Sequence, residues 1–102
     1  MTLSPEQIQS NWKEFLNNIE TYITGVRKSQ LLDFYNKHQE ELVLMPASHK
    51  KAYHNAFPGG YIDHVNRVVN CALKLHNVWE EMGVDTSTYT KEELVFSAIK
   101  DR

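Results

Sequence analysis

The sequence predicts a small all-α domain of about four helices. Three observations carry this. Apolar residues recur at spacings of three and four along several long stretches, which is the period of an amphipathic helix. Helix start signals stand in front of two of them, at Ser4-Pro5-Glu6-Gln7 and Thr90-Lys91-Glu92-Glu93. Helix-breaking residues, Pro46, Gly59-Gly60 and Gly83, fall between the stretches.

The first helix opens with Ser4 as cap, Pro5 at the first helical position and Gln7 closing a capping box. Ile8, Trp12, Phe15, Leu16, Ile19, Tyr22, Ile23 and Val26 follow on one face, and Gly25 is a weak spot near its end. Trp12, Phe15 and Tyr22 read as core aromatics. A second helix, capped by Ser29, carries Leu31, Leu32, Phe34, Tyr35, His38 and Leu42, and Pro46 stops either this helix or the short apolar run Leu42-Val43-Leu44-Met45.

Gly59-Gly60 opens the third helix, where Tyr61, Val65, Val68, Ala72, Leu75, Trp79 and Met82 form a stripe widened by Ile62, Val69 and Leu73. At about six turns it is on the order of 35 Å long, long enough to be the central helix. Cys71 within it reads as a small buried hydrophobe, and Gly83 suits the position just past its end. Residues 84 to 89 make a turn. Leu94, Val95, Ala98 and Ile99 then face inward on a fourth helix. No Gly, Asn or Pro follows Ile99, so this helix is expected to end frayed or to be shortened relative to its relatives.

The 102 residues suffice for one domain with one modest core, and 41% apolar with 24% charged residues predicts a globular chain. A net charge of −2 does not point to nucleic acid as a partner. The single cysteine, Cys71, precludes an internal disulfide and fits a reducing, cytoplasmic setting. No apolar run approaches the roughly 18 residues that span a bilayer, so no membrane partner is expected. The polar, capped start is unlike a signal peptide.

The segment from Pro46 to His64 carries the chemistry. It places three of the five histidines, the pair Lys50-Lys51 and Gly59-Gly60 before the long helix. A loop of this composition inside a small helical domain is more often functional than merely connecting. His64 sits at the border of the apolar stripe, where it faces a cleft between helices. There it is either a metal ligand or a half-buried imidazole bonded to a backbone carbonyl. His54 is a second ligand, a phosphate contact or a surface loop residue. His49, Lys50 and Lys51 either hold an anion, helped by the N–H groups that open the third helix, or form a solvated basic turn. Gly59 and Gly60 either let a ligand approach the backbone or only make the turn. Asp63 either orients a ligand or is a first-turn charge favoured by the helix dipole. His38 and His76 read as packing or surface residues.

The run Tyr53-His54-Asn55-Ala56-Phe57-Pro58-Gly59-Gly60-Tyr61-Ile62-Asp63-His64 resembles the opening of an HD-domain metal-dependent phosphohydrolase, in the branch of HD-type exoribonucleases. The likeness covers residues 46 to 101 and continues to Leu94-Val95-Phe96-Ser97-Ala98-Ile99; residues 1 to 45 form a helical lead-in. It implies metal binding through a first histidine, a His-Asp doublet and a later aspartate. His64 matches the first histidine. The doublet falls at Lys100-Asp101, leaving Asp101 as the other matching ligand, while Lys100 replaces the histidine. A protonated lysine has no lone pair for a metal. His64 and Asp101 alone are fewer than the three protein ligands usual at a catalytic metal.

The reading is therefore a single domain over residues 1 to 102 with no catalytic residues of its own, acting as a binding or regulatory module. A divalent cation (Mn, Mg, Fe or Ni) would be held weakly or not at all. The alternative is the amino-terminal part of a metal-dependent phosphohydrolase completed by a second polypeptide. A phosphate-bearing ligand at the loop, or a homo-oligomer formed through an exposed Leu94, Val95, Ala98 and Ile99 face, are the other expected partners.

Overall fold

The computed structural model describes residues 2–47 and 56–100. Among them the protein is all α, with helices α1 (Pro5–Tyr22), α2 (Gly25–Lys37), α3 (Gln39–Val43), α4 (Gly60–Glu81) and α5 (Lys91–Lys100). Four are long and α3 is a single short turn. No helix among the described residues is long and apolar enough to cross a membrane.

The start of α1 is closed by the capping box its sequence predicts. Ser4 Oγ accepts the Gln7 N–H at 3.1 Å, and Gln7 Oε1 accepts the Ser4 N–H at 2.8 Å. Its end differs from expectation. The helix stops at Tyr22, Ile23 is extended, and Gly25 at φ 64° starts α2. Ser29 therefore lies inside α2, and Val26, placed by its spacing on the first helix, stands 71% exposed on the second. Ile23 is fully buried past the stop, and Thr24 reaches another helix. Thr24 Oγ1 donates to Glu92 Oε1 at 2.8 Å. The second helix also breaks earlier than its apolar spacing implies. His38 leaves helical geometry at φ −106°, ψ 19°, and the changed direction brings Leu42, Val43 and Met45 against the core.

One core joins the helices. Trp12, Phe15, Ile19 and Ile23 from the α1 segment meet Leu31 and Tyr35 of α2, Tyr61, Ile62, Val65 and Val69 of α4, and Val95 and Ile99 of α5. Phe15 packs edge-on against Tyr35 with ring centroids 4.8 Å apart. Each large side chain fully withdrawn from water contributes about 1.5–3 kcal/mol.

The inward face of α4 is rotated from the predicted stripe. Asn66 and His76 are buried beside Ile62, Val65 and Val69, whereas Val68, Leu75 and Met82 of the predicted stripe are exposed. The polar members explain the difference, since a count of apolar positions passes over them. Asn66 Nδ2 donates to the backbone oxygen of Asn11 at 2.9 Å and ties α4 to α1. His76 Nδ1 lies 2.9 Å from Glu80 Oε1, one turn on, without the alignment of a hydrogen bond. Cys71 is exposed, not buried, because it lies on the outward side of α4.

The helix ends through a Schellman arrangement as Gly83 predicts. Val84 N–H reaches Trp79 O at 2.9 Å and Gly83 N–H reaches Glu80 O at 3.1 Å, with Gly83 at φ 80°. Half of the second capping box forms, Thr90 Oγ1 accepting the Glu93 N–H at 3.2 Å. The Glu93 carboxylate reaches across to Arg27 at 3.0 Å instead of closing the box.

The apolar face of α5 is not the exposed surface expected of it. Val95 and Ile99 are buried and Leu94 and Ala98 half-buried against the rest of the chain, so this face does not offer the expected homo-oligomer contact. Truncating Ile19 at the centre of this core to alanine should cost about 2–5 kcal/mol. Urea denaturation followed by circular dichroism checks this, with the midpoint lowered and the transition still cooperative.

Candidate functional site

Two places bear on function: the clasp from which the loop of residues 46 to 58 departs, and the groove between α2 and α5. The clasp is built from backbone. Gly59 N–H donates to Leu44 O at 3.1 Å, Gly60 N–H to Phe57 O at 2.9 Å, and Tyr61 N–H to Met45 O at 2.9 Å. The loop therefore leaves α3 and returns to α4 at one point. These bonds also satisfy donors that open α4, the same N–H groups an anion at the helix start would use.

Gly59 sits at φ 82°, and a Cβ there would come within 2.9 Å of Ile8 Cγ1 and 3.4 Å of Leu3 Cδ1. The close approach it permits is to the chain's own α1, not to open space. Gly60 beside it is buried in the same turn.

His64, at the start of the second turn of α4, is exposed. Asp63 is half-buried, accepts from Asn11 Nδ2 at 3.3 Å and pairs with Arg67 at 3.1 Å, so its charge joins α4 to α1. The predicted His49, Lys50, Lys51, His54 and Asp101 lie outside the described residues. Of the predicted site residues, Gly59, Gly60 and His64 lie within the described residues, the two glycines buried and the histidine exposed. Among the described residues no three His, Cys, Asp or Glu side chains converge as a metal site.

The groove between α2 and α5 was not legible as a site. It has a volume of about 420 Å³ and an aromatic wall of Phe34, Tyr35 and Phe96, with Arg27 and Lys100 on its rim. Phe34 is 52% exposed there. Arg27 Cζ lies over the Phe96 ring, 4.0 Å from its centroid, while the guanidinium pairs with Glu92 and Glu93. A smaller hollow of about 220 Å³ adjoins it, sharing Phe34, Tyr35 and Lys100 and adding Tyr61 and Ile99. Lys100 thus stands between the two hollows, on the last turn of α5.

Burial, and secondarily the neighbouring Tyr61 phenol, push the Tyr35 hydroxyl up to about 12. It remains a neutral hydrogen-bond donor throughout the physiological range. The sequence signals here were Phe34-Tyr35 on an amphipathic helix and a lysine at the doublet position; nothing in their spacing linked them, because the contact is between helices far apart in sequence.

No family model matches this chain, and neither a curated protein nor a solved structure shows significant similarity to it.

The raised Tyr35 value has a definite sign. The folded state holds the phenolic proton more tightly than the unfolded chain, whose tyrosines titrate near 10. The associated stability is complete below pH 10 and is lost as the pH rises from 10 towards 12. Ultraviolet titration should show one tyrosine ionising late in wild type, and Tyr35→Phe should remove that late step. A second substitution isolates the clasp: Gly59→Ala should cost about 1–3 kcal/mol, since it adds left-handed strain to a clash with Ile8. Thermal melting of the two proteins measures it.

Proposed function

We propose that this chain is an HD-like helical module without catalysis of its own, which binds a small phosphate-bearing ligand with an aromatic body in the groove between α2 and α5. The observation that carries the reading is Lys100. By the resemblance it stands where a metal-binding histidine would stand, and in the structure it lines both hollows beside Tyr35 and Tyr61. An ammonium group supplies fixed positive charge where the hydrolases would hold a cation, but it cannot acidify a bound water. The combination favours holding a phosphate over cleaving it.

The rest of the groove suits the ligand's other end. Phe34 offers an open aromatic face, and Val26, Leu31 and Phe96 add apolar wall. A volume of about 420 Å³ falls within the roughly 300–1,000 Å³ usual for small-molecule sites. The neutral Tyr35 hydroxyl can donate to a phosphate oxygen, and Lys100 can pair with it; charge-assisted bonds of this kind are the strong ones.

Isothermal titration calorimetry with adenosine 5′-monophosphate tests the reading, with adenosine and inorganic phosphate as the separate halves. The nucleotide should bind more tightly than either half. Lys100→Met should weaken it at least about tenfold, Phe34→Ala should weaken it as well, and no phosphate should be released with added Mn²⁺. Affinity indifferent to Lys100→Met, or phosphate release by the purified chain with Mn²⁺, contradicts the proposal.

A further inference from the structure

The outward face of α4 carries a second apolar pattern that the core does not use. Val68, Cys71, Leu75, Val78 and Met82 follow one another at spacings of three, four, three and four. All five are exposed, Leu75 at 47%, Val78 at 46% and Met82 at 76%. The line runs for about 21 Å along the helix. Its repeat of 3.5 residues is that of the a and d positions of a coiled coil, with Val68, Leu75 and Met82 at a and Cys71 and Val78 at d. On the helical wheel the line is centred roughly 120° from the buried face.

We infer that α4 pairs with α4 of a second copy of this chain, antiparallel about a two-fold axis between Cys71 and Leu75. The a/d spacing specifies another helix as the occupant, and Val68, Cys71, Leu75 and Val78 complement one another when the line is reversed, with Met82 falling opposite His64 of the second copy. Val68 then meets Val78 of the second copy, and Cys71 meets Leu75 of the second copy, each layer joining an a to a d position. The flanking charges select this arrangement. Arg67 and Glu81 hold equivalent g positions at opposite ends of the line, both exposed. In the antiparallel pairing each Arg67 faces Glu81 of the second copy, twice per dimer. A parallel pairing places Ala72 opposite Arg67 and forms no such pair. Arg67 is already oriented along the helix surface by Asp63 at 3.1 Å. Lys74 falls beside its own counterpart near the axis and opposes association, though its long side chain can reach solvent.

This pairing does not rest on the ligand-binding reading, because the groove between α2 and α5 shares no residue with the line.

Sedimentation equilibrium of the full chain tests it, with circular dichroism confirming that each variant is folded. Wild type should form a dimer at micromolar concentration. Leu75→Glu, at an exposed position, should weaken the dimer at least about tenfold, since it buries two carboxylates at neighbouring layers. Arg67→Glu and Glu81→Arg should each weaken it about fivefold, and the double variant should restore wild-type affinity. A wild-type chain that remains monomeric to high micromolar concentration overturns the inference. So does a dimer indifferent to Leu75→Glu, or a double charge swap that fails to rescue.

Discussion

The capture of α5 by α1 and α4 is the constraint on which the rest of the molecule depends. Ten residues are too few to hold a helix in water unaided, so α5 owes its order to Val95 and Ile99, both buried in the common core. Ile19 and Ile23, both fully buried, complete that core, Ile23 standing just past the end of α1 at Tyr22. The polar contacts around the start of α5 then fix its direction. Thr24 and Arg27 hold Glu92, and Arg27 also holds Glu93 and covers Phe96. Exposed ion pairs of this kind contribute little stability; their effect is to set orientation. Packing supplies the energy, and the ion pairs choose which side of α5 faces α2.

Lys100 reaches the hollows at the far end of α5 through this arrangement. Phe96 and Lys100, one turn apart, line the same wall because Val95 and Ile99 are anchored on the adjacent face. The loop clasp is a separate device. It uses Gly59 to bring α4 against Ile8 and Leu3, and it spends the first N–H groups of α4 on backbone carbonyls. A phosphate at the start of α4 would have to compete with those bonds. Charge from a side chain, as Lys100 provides, needs no such competition.

Elements set by local chemistry were readable in the sequence. Ser4-Pro5-Glu6-Gln7 closes its capping box, Gly83 ends α4 through left-handed geometry, and Leu94, Val95, Ala98 and Ile99 turn inward. Elements set by contacts between helices were not. Ser29 has the chemistry of a cap, yet α2 begins at Gly25, where Thr24 finds its partner on α5. Leu75 and Met82 have the chemistry of core residues, while Asn66 and His76 occupy the buried side of α4. An amphipathic period fixes that a helix has a preferred face, but two apolar lines on one helix leave open which of them the domain covers. The groove was hidden for the same reason, its wall being divided between Phe34-Tyr35 and Phe96. The Gly59-Gly60 turn does open α4, as its residue types imply.

Native-state hydrogen exchange of the α5 backbone is the most direct measure of this account. If α5 is part of the common core, the amides around Ile99 should open with the same free energy as those around Ile19 in α1 and Val69 in α4. Exchange of α5 at the rate of an isolated peptide, while α1 and α4 remain protected, would contradict the account.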